Sequence, residues 1–470
     1  MLAFKPVILW TDALIFAVVA TAAVFAVYAC RREHLRVPWR QVTRSRLSMS
    51  ALVVLTAYGA VALFDSVHFR LPLPPDHRGR AQYSAEVLSV FDLMVRPLRT
   101  RMEKTYSAPF ATHLYAKETV QLSDGTSVRI FPRLEYGGAH LKDTAREQTG
   151  DILRQTVIGL MTGVLAWVII ALGITAWLAR RWREPYVAAL ARVAGARCDL
   201  PWHVVLMTAG VLIVLIAWLM ALAPRYHVLG TDKVGQDVLY QALKSIRTGL
   251  AIGTLTTLVM LPFAVLLGIM AGFFKGWVDD AVQYLYTTLN SIPGVLLIAA
   301  AVLMLQVYID THPELFQTQQ ERADLRLLFL CIILGVTSWT GLCRLLRGES
   351  LKLSTADYIQ AATALGVRHS RIIIRHLLPN VMHVVLIVLV LDFSGLVLAE
   401  AVLSYVGVGV DPVMNSWGNM INAARLEMAR EPMVWWSLTA AFIFMFILVL
   451  AANVFADAVR DAFDPRLRRQ

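Results

Sequence analysis

Charged residues are scarce in this chain of 470 residues: Asp, Glu, Lys and Arg make up 16% of it, whereas apolar residues make up 57%. Soluble domains carry about 25% charged residues, because a surface that faces water must be solvated. The deficit excludes an ordinary soluble protein and indicates a surface that faces lipid. The net charge of +11 comes from Lys and Arg bunched between apolar runs, the pattern of the positive-inside rule, so it indicates topology and not binding to nucleic acid.

Cysteine and the common catalytic motifs are also lacking. The four cysteines, Cys30, Cys198, Cys331 and Cys343, form no CxxC pair, which argues against a disulfide framework or a zinc site. The absence of any Gly-Lys dipeptide excludes a phosphate loop, and neither HExxH nor Gly-x-Ser-x-Gly occurs. The sequence therefore predicts a chain that is not an enzyme and holds no metal.

Long apolar runs dominate the chain. A hydrocarbon core of about 30 Å needs roughly 20 helical residues, and nine runs are close to that length: Val7 to Cys30, Leu47 to Phe64, Thr156 to Ala179, Val204 to Ala223, Gly249 to Phe274, Ile292 to Ile309, Leu327 to Leu346, Val381 to Val402 and Val434 to Phe455. The first is too long for a signal peptide and lacks a small-residue cleavage site, so it is interpreted as a retained span. We predict an all-α polytopic membrane protein with about nine transmembrane helices.

Basic residues cluster in alternate connections between these runs. The sets are Arg31, Arg32, Arg36, Arg40, Arg44 and Arg46 in the first, Arg180, Arg181, Arg183, Arg192 and Arg197 in the third, and Arg347, Lys352, Arg368, Arg371 and Arg375 in the seventh. The positive-inside rule makes these connections cytoplasmic. The N-terminus is then predicted outside and the C-terminus in the cytoplasm, as an odd number of spans requires.

The second connection, residues 65–155, is the one long extracytoplasmic segment and is polar enough for a small folded insertion. In Glu118 to Phe131, apolar residues alternate with polar ones on both sides of Ser123-Asp124-Gly125-Thr126, which predicts a β-hairpin. The alternative is a loop packed on the membrane surface.

The seventh connection is predicted to form two short helices. Ser354 and Asp357 resemble a capping box, and Gly366 can adopt the left-handed stop of the first helix. Ser370 can cap a second helix that ends at Pro379. Alanines leave a smooth ridge that suits a groove on another protein, and the alternative is a surface helix that rests on the bilayer.

The residues of this connection resemble the EAA loop of ABC importer permeases, the segment that docks into the ATPase subunit. The resemblance lies in Gln360, Ala361, Ala362, Gly366, His376, Leu378 and Pro379, and Arg371 is a nearby cation that can meet acidic groups. The segment around His376 is similar to the C-type permease of the dipeptide and oligopeptide branch. Gln360 replaces the usual glutamate, which puts any ion pair made by that glutamate in doubt.

Further segments resemble the same branch, in the same order. They are Gly230-Thr231-Asp232 with Gly235-Gln236-Asp237-Val238-Leu239, Gly276-Trp277-Val278-Asp279, Ala399-Glu400-Ala401, Ser416-Trp417-Gly418-Asn419-Met420 and Arg460-Asp461-Ala462-Phe463-Asp464-Pro465-Arg466. The resemblance runs from about Trp202 to the C-terminus and does not extend to residues 1–200. Two domains are therefore predicted: an N-terminal module, 1–200, with three spans and the insertion, and a six-span permease domain, 201–470, with a coupling loop at 350–380.

The resemblance implies a permease subunit of an ATP-driven ABC importer of peptides or peptide-like solutes in the bacterial plasma membrane. The partners that it implies are a second permease subunit, two ATPase subunits or domains that bind ATP and Mg, and an extracytoplasmic solute-binding protein. The chain itself would contact membrane lipid, bind no nucleic acid and hold no cofactor.

Polar residues inside the apolar runs are candidates for the translocation pathway. Asp392 and Glu400 lie in the eighth run, where an ionisable side chain is costly and indicates a pathway or a buried partner. Asn290 and Ser291 precede Pro293. The alternatives are hydrogen bonds to neighbouring helices for the acids and a satisfied helix break for the other two.

Two other functions fit the same residues. An ion-gradient-driven secondary transporter would use Asp392 and Glu400 as proton or cation sites, and a membrane sensor or scaffold would use the insertion to bind a ligand. An ATPase partner distinguishes the importer from the secondary transporter, and normal uptake after removal of the insertion would argue against the sensor.

Overall fold

The computed structural model describes residues 4–74, 82–121, 127–195, 199–316 and 318–463. Within those ranges, nine helices are long and apolar enough to cross a membrane, which confirms the prediction of an all-α polytopic protein. Eight of the nine are single helices: α1 (Trp10–Arg31), α3 (Arg46–Asp65), α6 (Thr144–Trp182), α8 (Trp202–Leu222), α9 (Val238–Phe274), α11 (Gly294–Thr311), α12 (Gln319–Ser354) and α17 (Trp436–Phe463). The ninth runs over His369–Tyr405. It joins α14 (His369–Ile372), a π turn (Ile373–Leu377) and α15 (Leu378–Tyr405).

Shorter elements connect the spans. The helices are α2 (Glu33–Arg44), α4 (Val90–Met94), α5 (Arg96–Thr100), α7 (Tyr186–Ala194), α10 (Gly276–Ser291), α13 (Asp357–Ala364), α16 (Trp417–Glu427) and a 3₁₀ turn (Pro313–Leu315). The strands are β1 (Lys5–Val7), β2 (His68–Arg70), β3 (Pro72–Leu73), β4 (Gln82–Tyr83), β5 (Leu88–Ser89), β6 (Glu118–Gln121) and β7 (Ser127–Ile130).

Several spans extend well beyond the apolar runs that predicted them. The helix α9 has 37 residues and α12 has 36, and both continue past the edges of their apolar runs because no proline stands there. Side chains of Asp237 and Thr318 cap the two helices at their N-termini. Hydrophobicity indicates only the part of a helix that lies in lipid. The polar extensions of these helices therefore could not be predicted from it.

The insertion contains the predicted hairpin. Strands β6 and β7 pair antiparallel, with Glu118 opposite Ile130 and Gln121 opposite Ser127. The predicted turn, Ser123 to Thr126, lies outside the described residues. The strand β1, before the first span, pairs antiparallel with β2 at the start of the insertion, so these two segments lie on the same side of the helices.

The helices α9 and α12 pack closely along much of their length. A Cβ atom at Gly268 would lie 2.8 Å from the carbonyl oxygen of Cys343, and one at Gly272 would lie 2.5 Å from Cβ of Ser350. Glycine is needed at both positions because the backbones meet there without room for a side chain. Residues of both helices also share a buried apolar cluster with Ile359 of the coupling loop.

Candidate functional site

The first helix of the coupling loop, α13, is held by buried apolar anchors and ends at a glycine. Ile359 is buried in one cluster with Ile372 and Leu377. At the end of α13, Gly366 adopts a left-handed φ of 73°. Its N–H donates to Thr363 O at 3.0 Å, and that of Val367 donates to Ala362 O at 3.1 Å, the double bond of a Schellman stop. The predicted left-handed stop at Gly366 is confirmed.

The remaining details of the predicted helix pair are wrong. The N-cap residue of α13 is Ala356, without a side-chain cap, and Ser354 ends the preceding helix. The second helix starts after Arg368, and neither Ser370 caps it nor Pro379 ends it. It continues through the π turn into α15, because the wider turn accommodates a proline that has no N–H to donate.

The coupling-loop surface is open at its tip. Gln360, Ala361, Gly366 and Arg371 are exposed, and Leu365 is 83% exposed. A single exposed apolar side chain is common in itself, but Leu365 lies within the segment that resembles the EAA loop, so it is a candidate for contact with another protein.

The return of the loop is fixed by polar and aromatic contacts to α13. The Tyr358 ring lies 6.2 Å from the His376 ring, and the Asn380 side-chain amide donates to the Tyr358 hydroxyl at 3.2 Å. His376 is therefore packed against α13, whereas the side-chain amide of Gln360, the residue that replaces the usual glutamate, donates to Thr355 O at 3.2 Å. Leu378 and Pro379 form the first turn of α15.

A bidentate ion pair joins α10 to the part of α12 that precedes the coupling loop. Arg347 on α12 donates to both carboxylate oxygens of Asp279 on α10, at 2.5 and 2.8 Å. The hydrogen bonds from Arg347 lower the pKa of the Asp279 carboxyl. Asp279 is the last residue of the segment Gly276-Trp277-Val278-Asp279. The ion pair to Arg347 is therefore a structural role for the acidic residue of that segment.

The four pathway candidates do not form one site. Glu400 is 2% exposed and accepts hydrogen bonds from Ser404 of its own helix, at 2.7 Å, and from the Gly418 N–H of the neighbouring helix α16. Asn290 accepts one from Thr340 at 3.1 Å, and Ser291 donates to a carbonyl of its own helix at 2.7 Å. These contacts agree with the structural alternatives for the three residues.

Asp392 differs from the other candidates. It is half-buried in α15, and among the described residues no hydrogen bond or ion pair to it is found. An unpaired carboxyl within a span is the arrangement that favours a functional contact.

A group of buried charges that sequence reasoning missed joins the insertion to the long helices. We call Asp12, Asp65, Asp92, Lys244, Arg247 and Asp324 the charge cluster. Arg247 donates to Asp12 at 2.5 Å and lies 3.7 Å from Asp324. Lys244 lies 2.6 Å from Asp92 and 3.3 Å from Asp65.

Uncharged groups complete this network. Thr11 hydrogen-bonds to Asp324 and accepts from Arg247 at 2.9 Å, and the Tyr240 hydroxyl donates to Asp92 at 2.8 Å. Burial raises the pKa of Asp92, but the neighbouring Lys244 ammonium outweighs it and lowers the pKa overall. The cluster thus ties α1, α3, α4, α9 and α12 together. Within the described ranges, no group of three or more His, Cys, Asp or Glu is placed to hold a metal ion.

A second buried group fastens the insertion to the loop before α9. His227 Nδ1 lies 2.7 Å from Asp237, and its Nε2 lies 3.3 Å from Glu103 of the insertion. Burial lowers the pKa of His227, but these two carboxylates outweigh it and raise the pKa to about 9. Burial likewise raises the pKa of Glu103, whereas the hydrogen bonds from His227 and from three backbone N–H groups bring it down to about 2.

The segment from Gly230 to Leu239 contacts the backbone of the insertion. Gly235 has a φ of 80°, and a Cβ there would lie 1.7 Å from the Glu103 carbonyl oxygen. Thr231 N–H donates to Ser107 O at 3.1 Å, and Asp237 caps α9. The backbone of the insertion therefore lies directly on this segment.

One feature of the sequence could have predicted part of the charge cluster. Asp12 lies within the first apolar run, where the criterion applied to Asp392 and Glu400 would have marked it as well. Lys244 and Arg247 precede the fifth run, and nothing in their local sequence points to burial.

Comparisons with known proteins bear on the region around the coupling loop. The profile of the family described as binding-protein-dependent transport system inner membrane component matches residues 264–469. The glutathione transport system permease protein GsiD of Pectobacterium atrosepticum is 30% identical over 244 residues, which cover 52% of this chain and 73% of that protein. The oligopeptide transport system permease protein OppC of Mycobacterium tuberculosis is 31% identical over 242 residues, which cover 52% and 77%.

One solved structure is also similar. A chain from the methionine ABC transporter MetNI in inward-facing conformations has 15% identity and a TM-score of 0.38, and the match covers 48% of this chain and 97% of that one. The family match contains the whole coupling loop and leaves out residues 1–263.

Proposed function

The chain belongs to the family of binding-protein-dependent transport system inner membrane components, and on that premise we propose that it imports peptides or peptide-like solutes as the permease subunit of an ATP-driven importer. The names of the relatives support this substrate class, since they refer to oligopeptide and glutathione transport.

The observation that carries the proposal is the build of the coupling loop. Ile359 anchors α13 from below, while Leu365 and Arg371 face outward without a partner in the described chain. A helix that is anchored by a buried residue and exposes an apolar and a cationic side chain can dock into a groove on another protein. That protein is an ATPase subunit, which binds ATP and Mg in place of this chain.

The other partners in this proposal are a second permease subunit, a second ATPase subunit or domain, and an extracytoplasmic solute-binding protein. This chain contributes half of the pathway, and Asp392 is its best candidate for contact with a cationic or zwitterionic solute. The contacts of Glu400, Asn290 and Ser291 favour structural roles for them in the conformation described.

The continuous helix from His369 to Tyr405 supports a direct transmission of movement. Its 37 residues correspond to about 55 Å at 1.5 Å per residue. When ATP closes the ATPase pair, movement of the coupling loop would pass along this helix without a hinge loop, and Asp392 would move with it.

Replacement of Gly366 tests this role. Gly366→Val puts a β-branched residue at a positive φ and should displace the tip of the loop, so that uptake is lost while ATP hydrolysis continues. Gly348→Val is the matched control, because Gly348 is also exposed with open space around it but has an ordinary helical conformation. Normal uptake by Gly366→Val would contradict the role of the loop.

Purification of the tagged full chain from its native membranes separates an importer from its rivals. A partner that carries a phosphate-loop lysine should co-purify with the wild-type chain and be released when Leu365 becomes Asp. Uptake that persists with an ion gradient and without ATP would instead favour the secondary transporter.

We also propose that the N-terminus lies outside and the C-terminus in the cytoplasm of a bacterial plasma membrane. Contacts support the grouping of the connections: Arg40 pairs with Asp199 at 2.8 Å, and Trp39 packs on Phe463 with ring centroids 5.7 Å apart. An alkaline phosphatase reporter should be active after Gly125 and inactive after Arg40. The reverse pattern would overturn the orientation.

The proposed division of the chain remains an N-terminal module, 1–200, and a permease domain, 201–470. The helix α8 joins them, because it packs closely on α6: Cβ atoms at Gly159 and Gly163 would lie 2.8 Å from Cα of Trp218 and Val214. The charge cluster supports a module that is fastened to the permease and not merely tethered beside it.

A further inference from the structure

A large cleft lies between α1, α2 and the end of α6, and no residue of the coupling loop or of the charge cluster lines it. It has a volume of about 840 Å³. Its apolar side is formed by α1, with Ala22, Phe25, Ala26 and Ala29 at helical spacing along one face. We call it the arginine cleft, after the residues at its mouth.

Three arginines line the mouth of the arginine cleft. They are Arg36 and Arg40 from α2 and Arg181 from the end of α6. Arg44, one turn beyond Arg40, shares Asp199 with it, at 2.8 Å each. Among the described side chains at this mouth, one carboxylate therefore faces four guanidinium groups, and the excess charge is positive.

Two of the arginines are available for a ligand. Arg36 and Arg181 are exposed and have no ion pair among the described residues. Arg181 lies over the Trp177 ring, with its guanidinium carbon 5.4 Å from the ring centroid, which holds it near the mouth. A planar guanidinium presents paired N–H donors that match phosphate oxygens.

The position of the cleft relates it to the membrane. It opens between two spans, α1 and α6, and α2 is an amphipathic helix between two spans, with arginines on one side and Trp39 packed on Phe463. The apolar wall continues along α1, in which only Thr11, Asp12, Ile15 and Ala29 are buried. A ligand here would meet guanidinium groups at one end and hydrocarbon at the other.

We propose that the arginine cleft binds one phospholipid with an anionic headgroup, its phosphate at Arg36 and Arg181 and its acyl chains along Ala22, Phe25 and Ala26. Basic pockets between membrane helices on the cytoplasmic side recognise such headgroups by charge. The proposed orientation of the chain determines only which leaflet of the membrane supplies the lipid. The uptake assay and the reporter fusions test the proposed function and orientation, and their outcomes do not depend on this lipid site.

The test measures lipid retained by the full-length chain after reconstitution into vesicles. Phosphatidylcholine vesicles with a minor fraction of phosphatidylglycerol supply the probe, and native mass spectrometry after mild extraction counts the lipids that remain. The wild-type chain should retain phosphatidylglycerol in preference to phosphatidylcholine. Arg36→Gln with Arg181→Gln should weaken this retention about thirtyfold.

The matched control is Arg31→Gln with Arg180→Gln, which removes the same charge from neighbouring exposed positions that do not line the cleft. Retention should change little in this pair. An equal loss in both pairs would show a general surface potential, and equal retention of phosphatidylcholine would show ordinary surrounding lipid; either result would overturn the proposal.

A variant without any change of charge examines the apolar end. Ala26→Trp fills the cleft and should release phosphatidylglycerol although all the arginines remain. Unchanged retention in Ala26→Trp would place the lipid elsewhere and overturn the proposal. Thermal unfolding of each variant shows whether the fold is intact, and the exposed position of Ala26 favours an intact fold.

Discussion

The two ends of the long helices α9 and α12 differ in which side chains are buried and which are exposed. At the end near the insertion, charged side chains are buried against each other: Arg247 is 5% exposed and its partner Asp12 is 1% exposed. At the coupling loop, apolar side chains stand in the open, as Leu365 and Ile374 do at 83% and 66% exposure. One end is complete within this chain, and the other has the surface expected of an unfinished interface.

The insertion accounts for much of this difference. It supplies Asp92 to Lys244 and Glu103 to His227, and α1 supplies Asp12 to Arg247. Each of these partners comes from residues 1–200, so the charged groups of α9 and α12 near the insertion are paired without another protein. No segment of the module plays the same part at the coupling loop in the described structure.

The largest effect on stability is expected from Arg247→Met. The substitution keeps an extended aliphatic side chain but leaves Asp324 buried without a cation, and it leaves Asp12 with only its hydrogen bond to His68 at 2.7 Å. The loss of one partner from a buried ion pair costs about 3–5 kcal/mol. Denaturant unfolding in detergent should show this loss, together with faster proteolysis of the insertion.

The matched control comes from the coupling-loop end. Lys352 pairs with Glu349 at 3.3 Å, but its side chain is 72% exposed, so Lys352→Met should cost less than about 1 kcal/mol. Adding Asp12→Asn to Arg247→Met should recover part of the lost stability, because one uncompensated charge disappears. Equal losses for Arg247→Met and Lys352→Met would remove the contrast between the two ends.

An intermediate effect is expected from pH through His227. Its pKa is raised from 6.5 to about 9, so the stabilisation is fully present below pH 6.5 and is lost as the pH rises through 9. The raised pKa corresponds to about 3 kcal/mol. Glu103, with a pKa of about 2, stays ionised over this range and adds no pH dependence there.

Thermal unfolding across that pH range measures this contribution. His227→Gln can still hydrogen-bond but cannot titrate, so the loss of stability toward high pH should become shallower. A pH profile of His227→Gln as steep as that of the wild-type chain would show that another group is responsible.

The smallest effect on stability, and the largest on transport, is expected from Leu365→Asp. The side chain is exposed, so the free energy of unfolding should change by no more than about 0.5 kcal/mol. Uptake should nevertheless be lost, because a carboxylate would occupy the apolar tip. Leu365→Met is the control and should transport normally; a strong loss of stability in Leu365→Asp would mean that the tip is part of the core.

The confirmed predictions rest on local or regular signals. The spans follow from apolar length, the hairpin from alternation around a turn, and the left-handed Gly366 from its place after an alanine-rich helix. The predicted end of the second loop helix at Pro379 is wrong, because a local rule for proline cannot foresee that a π turn will carry the helix onward.

The sequence by itself determined the membrane class, the likeness to an importer permease and the position of the segment proposed as the coupling loop, since each depends on composition or spacing within a short stretch. Only the tertiary structure decided which charges are buried together. Asp12 and Arg247 are separated by 235 residues, and so are brought to 2.5 Å only by the packing of α1 against α9. A buried ion pair between distant segments leaves no periodic signal along the chain, because its stability depends on a low-dielectric site that folding creates.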